Sequence, residues 1–229
     1  MNTSVESFRD KNAMAARAVG IFKAFYAKAL KERGFMAVAL SGGKTPLVFF
    51  KALAAQKRLN WGKIFFFFTD ERLVRRDNKD SNFKSADDLL FSKAPVPPSN
   101  IFAVPASKGA EAAAAYENAI NVFFRLDAPS FDLIMLGLGT DGHTASLFPG
   151  SPALKETGKL AVSVLAPAYA RPRRRVTLTL KALNSARTAL FLVSGRDKQE
   201  VFASLAAADK NLPASKIAPT EDLYLFYSK

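Results

Sequence analysis

The chain has a single histidine, His143, and it stands in the most patterned stretch of the sequence, GLGTDGHTASLFPG, from Gly137 to Gly150. Imidazole is the side chain whose unperturbed pKa suits proton transfer near neutral pH. Here it follows a glycine and comes two residues after Asp141. Phe131, Leu133, Ile134 and Leu136 lead into the stretch, so it reads as a glycine loop at the end of a buried strand. Such loops are where α/β proteins keep their chemistry. A histidine merely packed in a surface turn is the alternative, and a glycine-dense loop is a poor place for one.

Cations and small residues gather in other segments. Ser41-Gly42-Gly43-Lys44-Thr45-Pro46 lies between an expected strand and an expected helix. Pro46 suits the first helical turn. Gly42 and Gly43 let backbone N–H groups approach a ligand, and the helix N-terminus adds positive potential. The Ser41 and Thr45 hydroxyls and the Lys44 ammonium would complete a cradle for phosphate oxygens. The hexapeptide matches neither a Walker A loop nor a dinucleotide fingerprint, which argues against ATP and NAD. Taken alone it fits a tight turn without a ligand equally well. Thr69-Asp70-Glu71-Arg72 follows an apolar run. Arg72 offers a planar fork suited to phosphate or carboxylate. Asp70 and Glu71 could orient it or bind sugar hydroxyls, although a plain surface ion pair competes with that reading. Of Arg171, Arg173, Arg174 and Arg175, one should point inward from the start of the next strand, and the others should be solvated. Lys198 follows Gly195 on the first turn of another expected helix.

These groups need elements to hold them at one edge. Apolar runs predict strands over residues 35–40, 64–68, 101–104, 131–136, 160–165, 175–180, 189–193 and 223–227. Amphipathic segments predict helices over 2–31, 46–55, 110–125 and 196–207, with Ser81 capping another that runs to about Phe91. The apolar stripe of the first is Met14, Ala18, Phe22, Phe25 and Ala29. Strand–helix alternation implies an α/β sandwich with a mostly parallel sheet and some added strands in the C-terminal third. With 229 residues and no linker, one domain over 1–229 is expected.

Composition narrows the function. There is no cysteine, which excludes disulfides, iron–sulfur clusters and cysteine nucleophiles. One histidine and no cysteine make a poor transition-metal site, so no metal is expected. No apolar run of about 18 residues occurs, and no signal peptide is recognisable, so a cytoplasmic protein without a membrane partner is expected. Lys and Arg number 33 against 20 Asp and Glu, a formal charge of +13, which suits an anionic partner. The basic residues are scattered and form no recognisable nucleic-acid module, so nucleic acid is not expected.

In this order, SGGKTP, TDERLV, Asp80-Ser81-Asn82, GLGTDGHTASLFPG and Arg175-Val176-Thr177-Leu178-Thr179 resemble the motifs of 6-phosphogluconolactonases. Gly195 with Lys198, and Leu212-Pro213-Ala214-Ser215, extend the likeness to Ser215. Two positions depart from it. Lys44 replaces what is more often a small hydroxylated residue, and the final run from Asp222 to Tyr227 lacks the usual tryptophan followed by an aspartate. A related deaminase branch continues differently after DGH and carries tyrosine at the position of Arg72, so the likeness favours the lactonases.

The resemblance implies a Rossmann-like three-layer sandwich. It also implies hydrolysis of 6-phospho-D-glucono-1,5-lactone in the oxidative pentose phosphate pathway, with no cofactor. Its partner would be that small phosphorylated sugar lactone, and a monomer or weak homodimer is expected. His143 would be the general base, with Asp141 fixing its tautomer. Backbone N–H groups of the loop ending at Gly142 would meet the oxyanion. Ser41, Gly42, Gly43, Lys44, Thr45, Asp70, Arg72, Arg175 and Lys198 would bind the substrate. Ser146 is not expected to be a nucleophile, since it lacks a GxSxG elbow and a second histidine.

Overall fold

Ile64 to Phe68 form a strand covered on both faces, and its aromatic side chains show how the layers are built. The computed structural model describes residues 2–125 and 129–229. Its main sheet has six strands, β1 (Asn2–Phe8), β2 (Met36–Leu40), β3 (Ile64–Phe68), β5 (Leu133–Leu136), β8 (Thr188–Ser194) and β9 (Asp222–Ser228). They lie in the order β1-β9-β8-β5-β2-β3, with every pairing parallel. A smaller antiparallel sheet holds β4 (Asp70–Arg72), β7 (Arg174–Leu178) and β6 (Ala161–Leu165) in that order. The helices are α1 (Lys11–Arg33), α2 (Pro46–Ala54), α3 (Asn82–Ala86), α4 (Ala112–Phe124), α5 (Leu180–Asn184) and α6 (Gln199–Ala206).

Side chains alternate across a strand, so neighbours face opposite layers. Phe66 meets Phe91 at 5.2 Å and Phe68 meets Phe83 at 6.1 Å, on the face of α3 and the π-turn after it. Phe65 and Phe67 meet Phe123 of α4 at 5.0 and 5.2 Å on the other face. At the far side, Tyr224 of β9 packs on Phe25 of α1, while Tyr227 packs on Phe202 of α6. Helices therefore cover both faces of a parallel sheet, in a Rossmann-like three-layer sandwich. Among the described residues, no helix is long and apolar enough to cross a membrane.

The strand order places the crevice. From β2 the chain moves outward to β3, whereas β5, β8 and β9 build in the opposite direction. The order thus reverses between β2 and β5. In open α/β sheets, ligands settle beyond the carboxyl ends of the strands at such a point. The loops that leave β2 and β5 are SGGKTP and the His143 loop.

The sheet edge at β3 is closed by a side chain. Tyr116 Oη accepts from Phe68 N at 2.7 Å and donates to Phe68 O at 2.9 Å, as a neighbouring strand would. Tyr116→Phe leaves both buried backbone groups unpaired. We expect it to cost about 1–3 kcal/mol, seen as a lower urea midpoint at unchanged m-value.

Several expectations need correction. The first 31 residues are not one helix. Asn2–Phe8 is strand β1, and Asp10 caps α1 by accepting from Ala13 N at 2.8 Å. The apolar stripe of α1 is buried as expected. The strand over 101–104 is only a bridge between Ile101 and Phe66. Asp70–Arg72, read as loop, is a strand. Residues 179–184 turn away from β7, because Thr179 caps α5. The helix over 196–207 opens as a 3-10 turn, and α6 begins only at Gln199.

Candidate active site

The loop after β2 is shaped by close approach. A Cβ on Gly42 would lie 1.8 Å from Asn82 Oδ1. Asn82 cannot easily yield, because its amide donates to Asp70 O at 2.8 Å and to Asp70 Oδ1 at 3.0 Å. Gly43 has φ 101°, a region that strains other residues. Pro46 opens α2, the Thr45 hydroxyl lies 2.9 Å from that of Ser194, and Lys44 is exposed.

Thr69 carries the chain from one sheet into the other. Its N–H donates to Leu40 O at 2.9 Å, and its carbonyl accepts from Leu178 N at 2.8 Å. Beyond it, β4 pairs with β7 so that Arg72 stands directly opposite Arg175. Like charges in that relation destabilise a sheet. Arg175 is only 4% exposed, and burial, followed by the charge of Arg72, lowers its pKa. The hydrogen bonds of these guanidinium groups go to neutral oxygens. Arg72 Nη1 donates to Asp80 O at 2.8 Å, and Arg175 Nε donates to Pro172 O at 2.8 Å. Arg72 Nε is buried without a partner among the described residues. Two adjacent cations that no carboxylate among the described residues bonds suit a dianion.

Of the roles open to Asp70 and Glu71, orienting the Arg72 guanidinium is not the one taken. Glu71 is buried and accepts from Arg72 N, Asn82 N and Phe83 N, each at 2.7 Å, so it serves the start of α3. Burial pushes its pKa up against those hydrogen bonds. Asp70 accepts from Ser146 Oγ at 2.6 Å. Of the arginine cluster, Arg175 alone among residues 173–175 reaches the cleft. Arg174 is exposed, and Arg173 Nε turns to Ala166 O. Lys198 Nζ donates to Leu138 O at 2.6 Å, and burial lowers its pKa against the pull of Asp197 and Asp141.

The loop after β5 is closed by Thr144 Oγ1 donating to Gly137 O at 2.8 Å. Inside it, Asp141 Oδ1 accepts from His143 N at 3.1 Å and meets His143 Nδ1 at 2.5 Å. A carboxylate only accepts, so Nδ1 carries the proton, and the neutral ring keeps its lone pair on Nε2. The ring packs against Phe148 at 4.4 Å. Asp141 Oδ2 accepts from Tyr169 Oη at 2.5 Å. Burial alone would raise the Asp141 pKa, but hydrogen bonds from His143 and Tyr169 hold it well below the usual carboxylate range.

One cleft gathers Ser41 to Thr45, Asp70, Arg72, His143, Arg175 and Lys198. Asp141 stands beside it as the partner of His143. Gly142 does not line it. That glycine is buried at φ 79°, faces Leu212 and accepts from Ala214 N at 3.0 Å. Ser146 is 0% exposed and also lies outside the lining. Sequence reading missed Tyr169 and Ser194, and named Asn82 only as part of the Asp80-Ser81-Asn82 triplet. No periodicity or motif marks Tyr169, which sits among alanine, proline and arginine.

A histidine–carboxylate pair beside a cleft lined by Arg72, Arg175 and Lys198, at the switch point of a doubly covered parallel sheet, is the setting of an α/β enzyme with a cationic cleft. The chain belongs to the glucosamine-6-phosphate isomerases/6-phosphogluconolactonase family, whose model matches residues 9–225. It is 38% identical to a 6-phosphogluconolactonase of Synechocystis sp., over 97% of this chain and 94% of the relative. The crystal structure of 6-phosphogluconolactonase from Thermotoga maritima superposes with a TM-score of 0.88 at 33% identity, covering 100% of both chains. A monomeric glucosamine-6-phosphate deaminase reaches a TM-score of 0.83 at 20% identity, a likeness of fold alone.

Proposed function

We propose that this protein hydrolyses 6-phospho-D-glucono-1,5-lactone to 6-phospho-D-gluconate, in the oxidative pentose phosphate pathway. The observation that carries this reading is the His143–Asp141 contact, at 2.5 Å, in a site whose cleft also holds the opposed pair Arg72 and Arg175. A base next to a dianion cradle fits a cyclic ester with a phosphate at its far end. Named relatives with the same fold support it.

In the proposed mechanism, His143 Nε2 takes a proton from water as the water oxygen bonds to the lactone C1. Asp141 stabilises the resulting imidazolium. The N–H groups of Gly139 and Gly142 are bonded to His143 O and Gly139 O, so those of Gly137 and Leu138, which line the cleft, are left to receive the charge on the former carbonyl oxygen. When the tetrahedral intermediate collapses, the bond from C1 to the ring oxygen breaks. The imidazolium then returns its proton to that oxygen. Arg72, Arg175 and Lys198, with Ser41, Gly42, Gly43, Lys44 and Thr45, hold the phosphate. Asp70 contributes by fixing Asn82 and Ser146. The burial of Ser146 favours direct attack by water over an acyl-enzyme.

Hydrolysis of freshly generated lactone, with the spontaneous rate subtracted, tests the reading. We expect kcat/KM for the phosphorylated lactone to exceed that for the unphosphorylated one by about 10²-fold or more, since charge-assisted contacts each contribute about 1.5–3 kcal/mol. Equal values would overturn the anchoring scheme. Ammonia release from glucosamine 6-phosphate, without lactone hydrolysis, would overturn the function.

A further inference from the structure

Tyr169 belongs to none of the motifs above. It is 69% exposed, yet its hydroxyl meets Asp141 Oδ2 at 2.5 Å. Apolar burial does little to hold a ring so exposed, and the hydrogen bond to Asp141 is the polar contact of its hydroxyl. The two carboxylate oxygens thereby divide their work. Oδ1 serves His143 and Oδ2 serves Tyr169.

The segment carrying Tyr169 connects β6 to β7 and has internal bonds of its own. Ala166 N donates to Arg173 O at 2.8 Å, and Ala170 N donates to Pro167 O at 3.0 Å. Its Pro172 carbonyl accepts from Arg175 Nε. One loop therefore touches both the proton-transfer pair and an arginine of the cleft.

We infer that Tyr169 is a positioning residue for the proposed lactonase, acting through Asp141. Its hydroxyl fixes the plane of the carboxylate, which aims the imidazole, and draws off part of the carboxylate charge, which limits stabilisation of the imidazolium. The inference rests on the functional reading above. Other groups also act on the imidazole. Asp141 bonds it, and Lys198, from the turn before α6, lines the same cleft. Arg175 of β7 lies over the far neighbour Phe148, while Asp70 and Arg72 of β4 line the same cleft. Tyr169→Phe removes one oxygen and leaves all of these in place.

The test compares Tyr169→Phe and Tyr169→Ala, each alone and with Asp141→Asn. With a single histidine, the imidazole signal in an NMR titration is assigned without ambiguity. Both variants should lower kcat about 3- to 10-fold with KM within about twofold, the net size of one ordinary hydrogen bond, since this one is open to solvent. Both should move the imidazole titration, and the acid limb of kcat/KM, to higher pH. In the Asp141→Asn background these effects should vanish. The inference is overturned if Tyr169→Phe titrates and turns over like the wild type. It is equally overturned if the effect persists undiminished beside Asp141→Asn. Because the titration needs no turnover, loss of the lactonase reading would show in the assay alone. Loss of the Tyr169 role would show in the NMR curves.

Discussion

His143→Ala is expected to lower kcat/KM for the phosphorylated lactone by about 10²–10⁴-fold, the usual worth of positioned acid–base help. The fold should survive. The His143 side chain is 24% exposed, it lies at a loop end, and its removal strips only one face of Phe148. KM should change little, because the phosphate cradle is built from other residues. A residual rate above the spontaneous one should remain, from cations and loop N–H groups that still meet the substrate. Circular dichroism and melting temperature check the fold, and the lactone assay checks the rate. A drop below tenfold would remove His143 from the proton-transfer role.

The pH dependence follows from Asp141. Its pKa in the folded protein lies below the ordinary carboxylate value. A depressed carboxyl contributes stability that is complete above its unfolded pKa, about 3.9, and is lost as the pH falls through the folded value. Above about pH 5, Asp141 therefore stays ionised, and its contribution to stability does not change. Activity lost on mild acidification should therefore come from one protonated group other than Asp141. The acid limb of log kcat/KM should have unit slope while circular dichroism stays constant. A slope near two, or unfolding over the same range, would contradict the assignment.

Gly139→Ala should inactivate the enzyme by about 10²-fold or more, although glycine has no side chain to react. A Cβ there would fall 2.1 Å from His143 Nδ1, 2.3 Å from His143 Cε1 and 2.6 Å from Asp141 Oδ1. The ring and the carboxylate would have to swing apart, and a misplacement of about 1 Å is enough for such a loss. Stability should fall only modestly, since the displaced atoms are side-chain ends beside an open cleft. The decisive comparison is the double variant with His143→Ala. If Gly139 acts only by leaving room for the pair, the double variant should be no slower than His143→Ala alone. Independent, multiplying losses would show that Gly139 has another task.

The chain's own order determined much of this protein. The apolar runs at 64–68 and 189–193 had to be buried strands, and the stripe from Met14 to Ala29 had to face a core. Asp141 and His143 are two residues apart, so their contact is written into one loop, as is the short path from Ser41 to Pro46. All of these depend on spacings that a single element or turn can realise. Tertiary structure decided the rest. Strand β1 is an edge strand with alternate residues exposed, and its partner β9 lies at the other end of the chain, so no local apolar signal marks it. That Arg175 rather than Arg173 or Arg174 enters the cleft follows from its register opposite Arg72. Whether Ser146 is a surface hydroxyl or a buried donor to Asp70 depends on how two sheets meet at Thr69. Tyr169 gains its place beside Asp141 only because the β6–β7 loop folds over the His143 loop. Local spacing sets which residues share a face, whereas contacts between distant segments exist only once strand order and register have been chosen.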